Sequence, residues 1–334
     1  MRLDAIDCRL LWNLDYSARL PLSKLAAKTG ISKQNASYRL SRLFKEGVLL
    51  GCMALVDVHK LGYCTYRVYF RQKGASAGEE KLVAKLKSHP NVLWLAQLAG
   101  SWDVEAVFVA KNSIHFNNML KKIKEEFGGS LYKCNVSASI VNYHFKRDYL
   151  VGRERGAEFK PKYYGFEPIE ERLDELDLGV LSELSRNCRQ SSNEIGRKLG
   201  VSYHTVKQRT LRLEQNGVIQ GYRILLDLGK IGRKYCKAAV KLGNPSKEQE
   251  EQLYKFCSQF NTVVYLVEVL GEWQLEIEAE VQEQDEFIEI LRAIRSKFPN
   301  LILDYEVFRV SKERKLNYFP MGKSLLVQFD SSMK

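Results

Sequence analysis

The sequence predicts an α+β protein made of two tandem copies of one design. Each copy is a winged helix-turn-helix domain followed by a ferredoxin-like βαββαβ effector domain. Three observations predict it. Residues 3–62 align with 173–232 at a shift of 170 with no gap, and 19 of the 60 pairs are identical. The first sixty residues of each copy show helical, helical and helical spacing before a short apolar stretch. The remainder of each copy alternates strand, helix, strand, strand, helix, strand, which is the ferredoxin-like order.

The domains follow from these repeats: a winged helix-turn-helix over 1–62, an effector domain over 63–149, a linker over 150–169, a second winged helix-turn-helix over 170–232, a second effector domain over 233–320 and a tail over 321–334. In the first copy Leu3, Ile6, Leu10, Leu11 and Leu14 recur at helical spacing. "LSKLAAKTG" reads as a short second helix ending at Gly30. Pro21 suits its start, and Ser191 with Glu194 makes a capping box at the same place in copy two. A third helix runs from Ser32 to Gly47. "GVLLGCMALVD" and "GVIQGYRILLD" each read as a short strand pair, a wing.

The effector strands of copy one are "CTYRVYFRQ", "VLWLAQLAG", "WDVEAVFVA" and "LYKCNVSASIVNYHF", with helices in "AGEEKLVAKLKSH" and "SIHFNNMLKKIKEEF". Copy two repeats the order, from "YCKAAVKLG" to "LILDYEVFRV". The linker "VGRERGAEFKPKYYGFEP" holds two prolines and lacks helical or strand periodicity.

The third helix of each copy carries the functional signal. With Ala36 at the centre of the buried stripe and 100° per residue, Leu40 and Leu43 fall beside it. Gln34, Tyr38, Ser41 and Lys45 point away, flanked by Asn35, Ser37 and Arg42. A short turn at Gly30–Ser32 before such a helix fits the motif whose second helix enters the DNA major groove. Gln and Asn can bond adenine with two hydrogen bonds; Arg and Lys favour guanine or phosphate. The expected DNA contacts are Lys33, Gln34, Asn35, Ser37, Tyr38, Arg39, Arg42 and Lys45 in copy one. In copy two they are Tyr203, His204, Thr205, Lys207, Gln208, Arg209 and Arg212, with Leu211 outward. Arg39 and Arg209 lie about 60° from the stripe centre, so either a phosphate or an internal acid can partner them.

Charge agrees with a polyanion partner. The net charge is +12. Residues 1–150 hold 23 Lys and Arg against 12 Asp and Glu, whereas 169–334 hold 25 against 25. A basic half beside a neutral half points to nucleic acid engaged mainly by the first. Seven scattered cysteines without a CxxC pair argue against a disulfide framework or a structural zinc site. No apolar run approaches membrane-spanning length, and the start is unlike a signal peptide, so a cytoplasmic protein without membrane association is expected.

"LDAIDCRLL…RLPLSKLAAKTGISKQNASYRLSRLFKEGVLLG…DVHKLG" resembles the Lrp/AsnC, or leucine-responsive, family of transcription regulators, and so does "LDELDLGVL…RQSSNEIGRKLGVSYHTVKQRTLRLEQNGVIQGY". The resemblance implies sequence-specific binding of double-stranded DNA and effector domains that pair through their sheets. It also implies a small-molecule, amino-acid-like effector near a Gly-x-x-Asp turn. That turn maps onto Gly100, Ser101, Trp102 and Asp103, and in copy two onto Gly271, Glu272, Trp273 and Gln274, where the Asp is replaced. The tandem layout departs from the usual single copy per chain.

No catalytic residues, metal site or cofactor are expected, because phosphate-binding glycine loops, HExxH and GxSxG are all missing from the sequence. The expectation is therefore a regulator and not an enzyme. Two rival classes stand beside it. One is a sirohaem decarboxylase of Lrp-like build, for which His144 in "NYHFKR" is the best residue. The other is a corepressor or scaffold that does not bind DNA. Effector domain one (64–150) has 13 basic and 7 acidic residues, and domain two (234–320) has 12 and 15. Opposite signs favour an intrachain pseudo-dimer of the two effector domains, open to further assembly.

Overall fold

The structure is a computed structural model that describes residues 3–74, 77–155, 162–165 and 171–321. The expected tail lies outside the described residues beyond Met321, as does much of the expected linker. The chain folds into two compact units. One gathers the N-terminal residues through Tyr63, the segment Glu167–Asp227 and the chain from Asn317. The other gathers Cys64–Phe166 and Leu228–Leu316. No helix among the described residues is long and apolar enough to cross a membrane.

In the first unit, copy one supplies α1 (Ala5–Leu14), α2 (Leu22–Thr29), α3 (Lys33–Lys45) and β1 (Leu49–Val56). Copy two supplies α6 (Glu175–Arg186), α7 (Ser192–Leu199), α8 (Tyr203–Gln215) and β7 (Ile219–Leu226). Asp4 and Asp174 cap α1 and α6 in capping boxes closed by Asp7 and Asp177. The α7 box of Ser191 and Glu194 is present as well. Gly30 and Gly200 end α2 and α7 at φ +72° and +67°, a left-handed conformation that glycine adopts without a Cβ clash. Leu10, Leu11, Leu14, Leu25, Ala36, Leu40 and Leu43 make the buried stripe of copy one.

The wing differs from the expected strand pair within each copy. Among the described residues each winged domain has a single strand, and β1 pairs antiparallel with β7 of the other copy, Cys52 opposite Ile224. β1 is buried along almost its whole length, so a strand from the other copy covers it better than a local hairpin could.

The second unit holds β2 (Cys64–Gln72), α4 (Ala77–Ser88), β3 (Val92–Ala99), β4 (Val104–Ala110), α5 (Ser113–Phe127), β5 (Leu131–His144) and β6 (Lys162–Gly165). From copy two come β8 (Lys234–Leu242), α9 (Lys247–Gln259), β9 (Val263–Leu270), β10 (Leu275–Val281), α10 (Gln284–Lys297) and β11 (Ile302–Leu316). Each copy has the ferredoxin-like strand order. β3 pairs with β11 and β5 with β9, joining the two sheets, and β2–β5 pairing closes an eight-stranded ring with β6 added outside it. β6 is a strand in the stretch where the sequence shows no strand periodicity. Its four residues are too few to display one, and β5 supplies the ladder.

Strand alternation puts one set of residues under the helices and the other inside the ring. On β10, Leu275, Ile277, Ala279 and Val281 join the apolar core with Phe287, Leu291 and Leu253. The intervening Glu276, Glu278 and Glu280 are buried on the other face. There Arg67 meets Glu105 at 3.1 Å and Glu276 at 2.8 Å. Lys237 meets Glu105 at 2.5 Å and Glu276 at 2.7 Å, and Glu278 reaches both cations. Arg67 and Lys237 are equivalent in the repeat, as are Glu105 and Glu276 once the one-residue insertion is allowed. Burial disfavours the Lys237 charge and Arg67 repels it, yet the three carboxylates hold its amine above the ordinary range.

Candidate nucleic-acid interface

α3 and α8 have the same framework. Ser32 and Ser202 cap them, accepting from the backbone N–H of Asn35 and Thr205 at 3.1 Å each. Arg39 donates to Asp4 at 2.6 Å and Asp7 at 2.9 Å, and Arg42 to Asp7 at 2.6 Å. Copy two repeats this: Arg209 with Asp174 at 2.6 Å and Asp177 at 3.2 Å, and Arg212 with Asp177. Asp7 and Asp177 are buried. The Asp4 carboxyl lies below its ordinary range, through the Asp7 backbone N–H and then Arg39.

These ion pairs place four of the expected DNA contacts in the framework. Arg39 and Arg209, for which acid and phosphate stood as alternatives, take the acid. Arg42 and Arg212 also turn to the first helix, although their side chains stay 30% and 45% exposed. The sequence reading did not anticipate Asp7 and Asp177 as the anchors. The signal was available, since Asp4, Asp7, Arg39 and Arg42 all recur identically in copy two.

The other expected contacts stand on the outer faces. Lys33, Gln34, Asn35, Ser37, Tyr38 and Lys45 are exposed, Tyr38 to 67%. Asn35 Oδ1 accepts from Arg39 Nε at 3.0 Å, which leaves its amide N–H groups unused by that bond. In α8, Tyr203, His204, Lys207 and Gln208 are exposed, while Thr205 is half-buried with its hydroxyl 2.8 Å from Ser202 Oγ. Leu211 is outward and exposed.

The two glycine turns lie in the second unit, each against the last strand of the other copy. Trp102 is buried and donates to Glu306 at 3.0 Å. Asp103 receives Arg71 at 2.9 Å and the Gln72 backbone N–H at 2.7 Å. Gly100 offers its carbonyl to Arg71 at 2.8 Å, and Ser101 is exposed. A Cβ on Gly271 would lie 2.6 Å from Ser137 Oγ and 3.2 Å from its Cα, so a larger residue there would make the Ser137 hydroxyl turn aside. Trp273 is buried 6.3 Å from Trp102, ring centre to ring centre, with Tyr69 against both. Trp273 occupies the place of Trp102, and Asn135 that of Glu306. Here the partnership fails: Trp273 Nε1 and Asn135 Oδ1 have no hydrogen-bond partner among the described residues.

Two exposed third helices on winged scaffolds define a DNA-binding protein. The winged helix-turn-helix DNA-binding profile matches residues 3–49 and 173–220. An uncharacterised HTH-type transcriptional regulator of Pyrococcus furiosus is 30% identical over 128 residues, 38% of this chain and 82% of that protein. A second HTH-type transcriptional regulator, of Methanocaldococcus jannaschii, is 36% identical over 101 residues, 30% of this chain and 67% of its own length. The chain belongs to the Lrp/AsnC family of HTH-type transcriptional regulators.

Over its whole length the fold is that of the siroheme decarboxylase NirDL, with a TM-score of 0.63, 12% identity and 99% of each chain covered. This corrects the expectation that the chain is not an enzyme. The exclusion rested on absent sequence motifs, and an enzyme with the same tandem architecture removes that ground. At this identity the likeness is one of fold.

Proposed function

We propose that this regulator reads DNA as an intramolecular pseudo-dimer, in which α3 and α8 contact unlike half-sites. One observation carries the reading: the two helices have the same ion-paired framework and present different exposed side chains. Gln34, Asn35, Ser37 and Tyr38 are replaced at the matching places by His204, Thr205, Lys207 and Gln208. β1–β7 pairing holds both scaffolds in one unit. Lys33 and Lys45 serve phosphates. The test is a footprint of the full chain on its selected site, with Gln34→Ala and Gln208→Ala each relaxing a different half. Loss of the same half in both variants would contradict the reading.

The effector belongs to the same proposal. A small polar molecule, amino-acid-like in chemistry, acts at the Gly-x-Trp turns. The Gly271–Trp273 turn is favoured because Trp273 Nε1 and Asn135 Oδ1 leave a donor and an acceptor unmet, and such groups are costly when buried without a partner. The twenty amino acids, screened by thermal shift and by Trp emission, should give a response that Trp273→Phe removes. A flat response to all twenty counts against it.

A second reading, chemistry on a tetrapyrrole, is favoured by the full-length NirDL likeness. His144 is buried against the Tyr164 and Tyr265 rings, 4.6 and 4.7 Å away from centre to centre. Titration with sirohaem, followed by visible spectrum and by carbon dioxide release, decides it.

A further inference from the structure

The two copies meet in the first unit through a pair of equivalent backbone contacts. Ala18 N–H donates to the Tyr222 carbonyl at 2.9 Å, and Cys188 N–H donates to the Cys52 carbonyl at 2.9 Å. The shift of 170 turns Ala18 into Cys188 and Cys52 into Tyr222. One of the two contacts therefore holds alanine and tyrosine, and the other holds two cysteines. Both thiols are buried, and each perturbs the titration of the other. A backbone hydrogen bond of that length keeps the two Cα atoms no more than about 6.8 Å apart, within the roughly 4.4–6.8 Å that a disulfide spans.

We propose that Cys52 and Cys188 are a redox modification site, at which hydrogen peroxide forms a disulfide that ties the two winged domains together. The Cys52 sulfur attacks one peroxide oxygen; the O–O bond breaks, giving a sulfenic acid and releasing water once the leaving hydroxide takes the thiol proton. The Cys188 sulfur then attacks the sulfenic sulfur, the S–S bond forms, and a second water leaves with the remaining proton. The two sulfurs together lose two electrons, and the peroxide is reduced.

Two features favour Cys52 as the attacking sulfur. The Cys188 thiol beside it lowers the Cys52 pKa, and the Arg189 guanidinium acts in the same direction against burial. Cys52 beside it and burial push the Cys188 thiol up, so the step is written with Cys188 as the resolving sulfur. Burial of both sulfurs selects a small oxidant. The bridge would close a loop of well over a hundred residues, and a loop of that size restricts the unfolded chain strongly.

The experiment is a peptide map of the full chain after hydrogen peroxide, with alkylation in denaturant and no reductant. The expected result is one new peptide joining Cys52 to Cys188, absent after dithiothreitol. A melting transition several degrees higher than that of the reduced protein should accompany it. Cys188→Ala installs the residue that the repeat uses at position 18, and it should show neither change. Recovery of Cys52 and Cys188 as alkylated thiols, or bridged to other cysteines, overturns the proposal, and that map on the unaltered chain does not depend on the variant folding.

Discussion

α3 and α8 differ where they face outward and share the caps and ion pairs that tie them to their own scaffolds. Asp4, Asp7, Ser32, Arg39, Arg42 and Leu43 recur as Asp174, Asp177, Ser202, Arg209, Arg212 and Leu213. Every polar member of that set is engaged within its copy, in a cap or an ion pair. The polar residues that changed, such as Gln34 to His204 and Tyr38 to Gln208, are exposed, whereas Ala36 to Val206 and Leu40 to Thr210 are exchanges within the buried stripe. Among the polar residues of these helices, identity between the copies thus marks framework, and difference marks the surface free to acquire a separate task. An arginine on a recognition helix is easily assigned to phosphate; the repeat shows these four to be structural first.

The largest effect should come from the framework. Asp7→Ala leaves Arg39 and Arg42 without their shared buried anchor, and Asp177→Ala does the same to Arg209 and Arg212. Each should cost about 3 kcal/mol in chemical denaturation, in the range for breaking a buried ion pair. Similar losses in the two copies sustain the comparison. A large loss in only one would break it.

Next in size is the outward face. Gln34→Ala should cost roughly 1–3 kcal/mol on the selected site and little on unrelated DNA, if it reads a base. Titration of both DNAs at fixed salt checks this. Equal losses on the two would reassign Gln34 to phosphate.

The effector domains offer a third comparison. His89 of copy one is matched by Phe260 in copy two. Burial, with help from the Lys315 and Lys85 charges, lowers the His89 imidazole to about 4. The unfolded chain binds that proton near 6.5, so stability is complete above that value and falls between 6.5 and about 4 as the pH drops. His89→Gln should remove that part of the acid loss, on the order of 1–2 kcal/mol, measured by urea unfolding at pH 7 and pH 4.5. An unchanged pH dependence would place the acid sensitivity elsewhere.

The smallest effects concern phosphates. Lys33→Ala and Lys45→Ala should each reduce the salt dependence of DNA affinity by a slope of about one, on any sequence. A loss confined to the selected site would make either lysine a base reader.

Much of this was legible in the sequence. The bounds of β2 and α5, Cys64–Gln72 and Ser113–Phe127, coincide with the segments read from periodicity. The missed features depend on the other copy. "LILDYEVFRV" reads as a strand ending at Val310, yet β11 continues through the charged "SKERKL" to Leu316, because β3 of copy one supplies its ladder there. β1 looks like half of a local hairpin until β7 takes the place of its partner. The Trp273 and Asn135 mismatch was hidden, because it requires knowing which strand each turn lies against. The acidic alternation of "LEIEAEV" was visible, but a buried reading of it needs Arg67 and Lys237 on the facing strands.

The central claim is that one chain presents two unlike readers on like scaffolds. Selection of bound duplexes from random DNA, carried out with the full chain, tests it most directly. A second selection uses a variant whose α8 face is converted to that of α3 by Tyr203→Lys, His204→Gln, Thr205→Asn, Lys207→Ser and Gln208→Tyr. The parent should select a site with two unequal halves spaced by about one helical turn or a small multiple, and the variant a site in which the halves become alike. A symmetric site from the parent, or an unchanged site from the variant, would contradict the account.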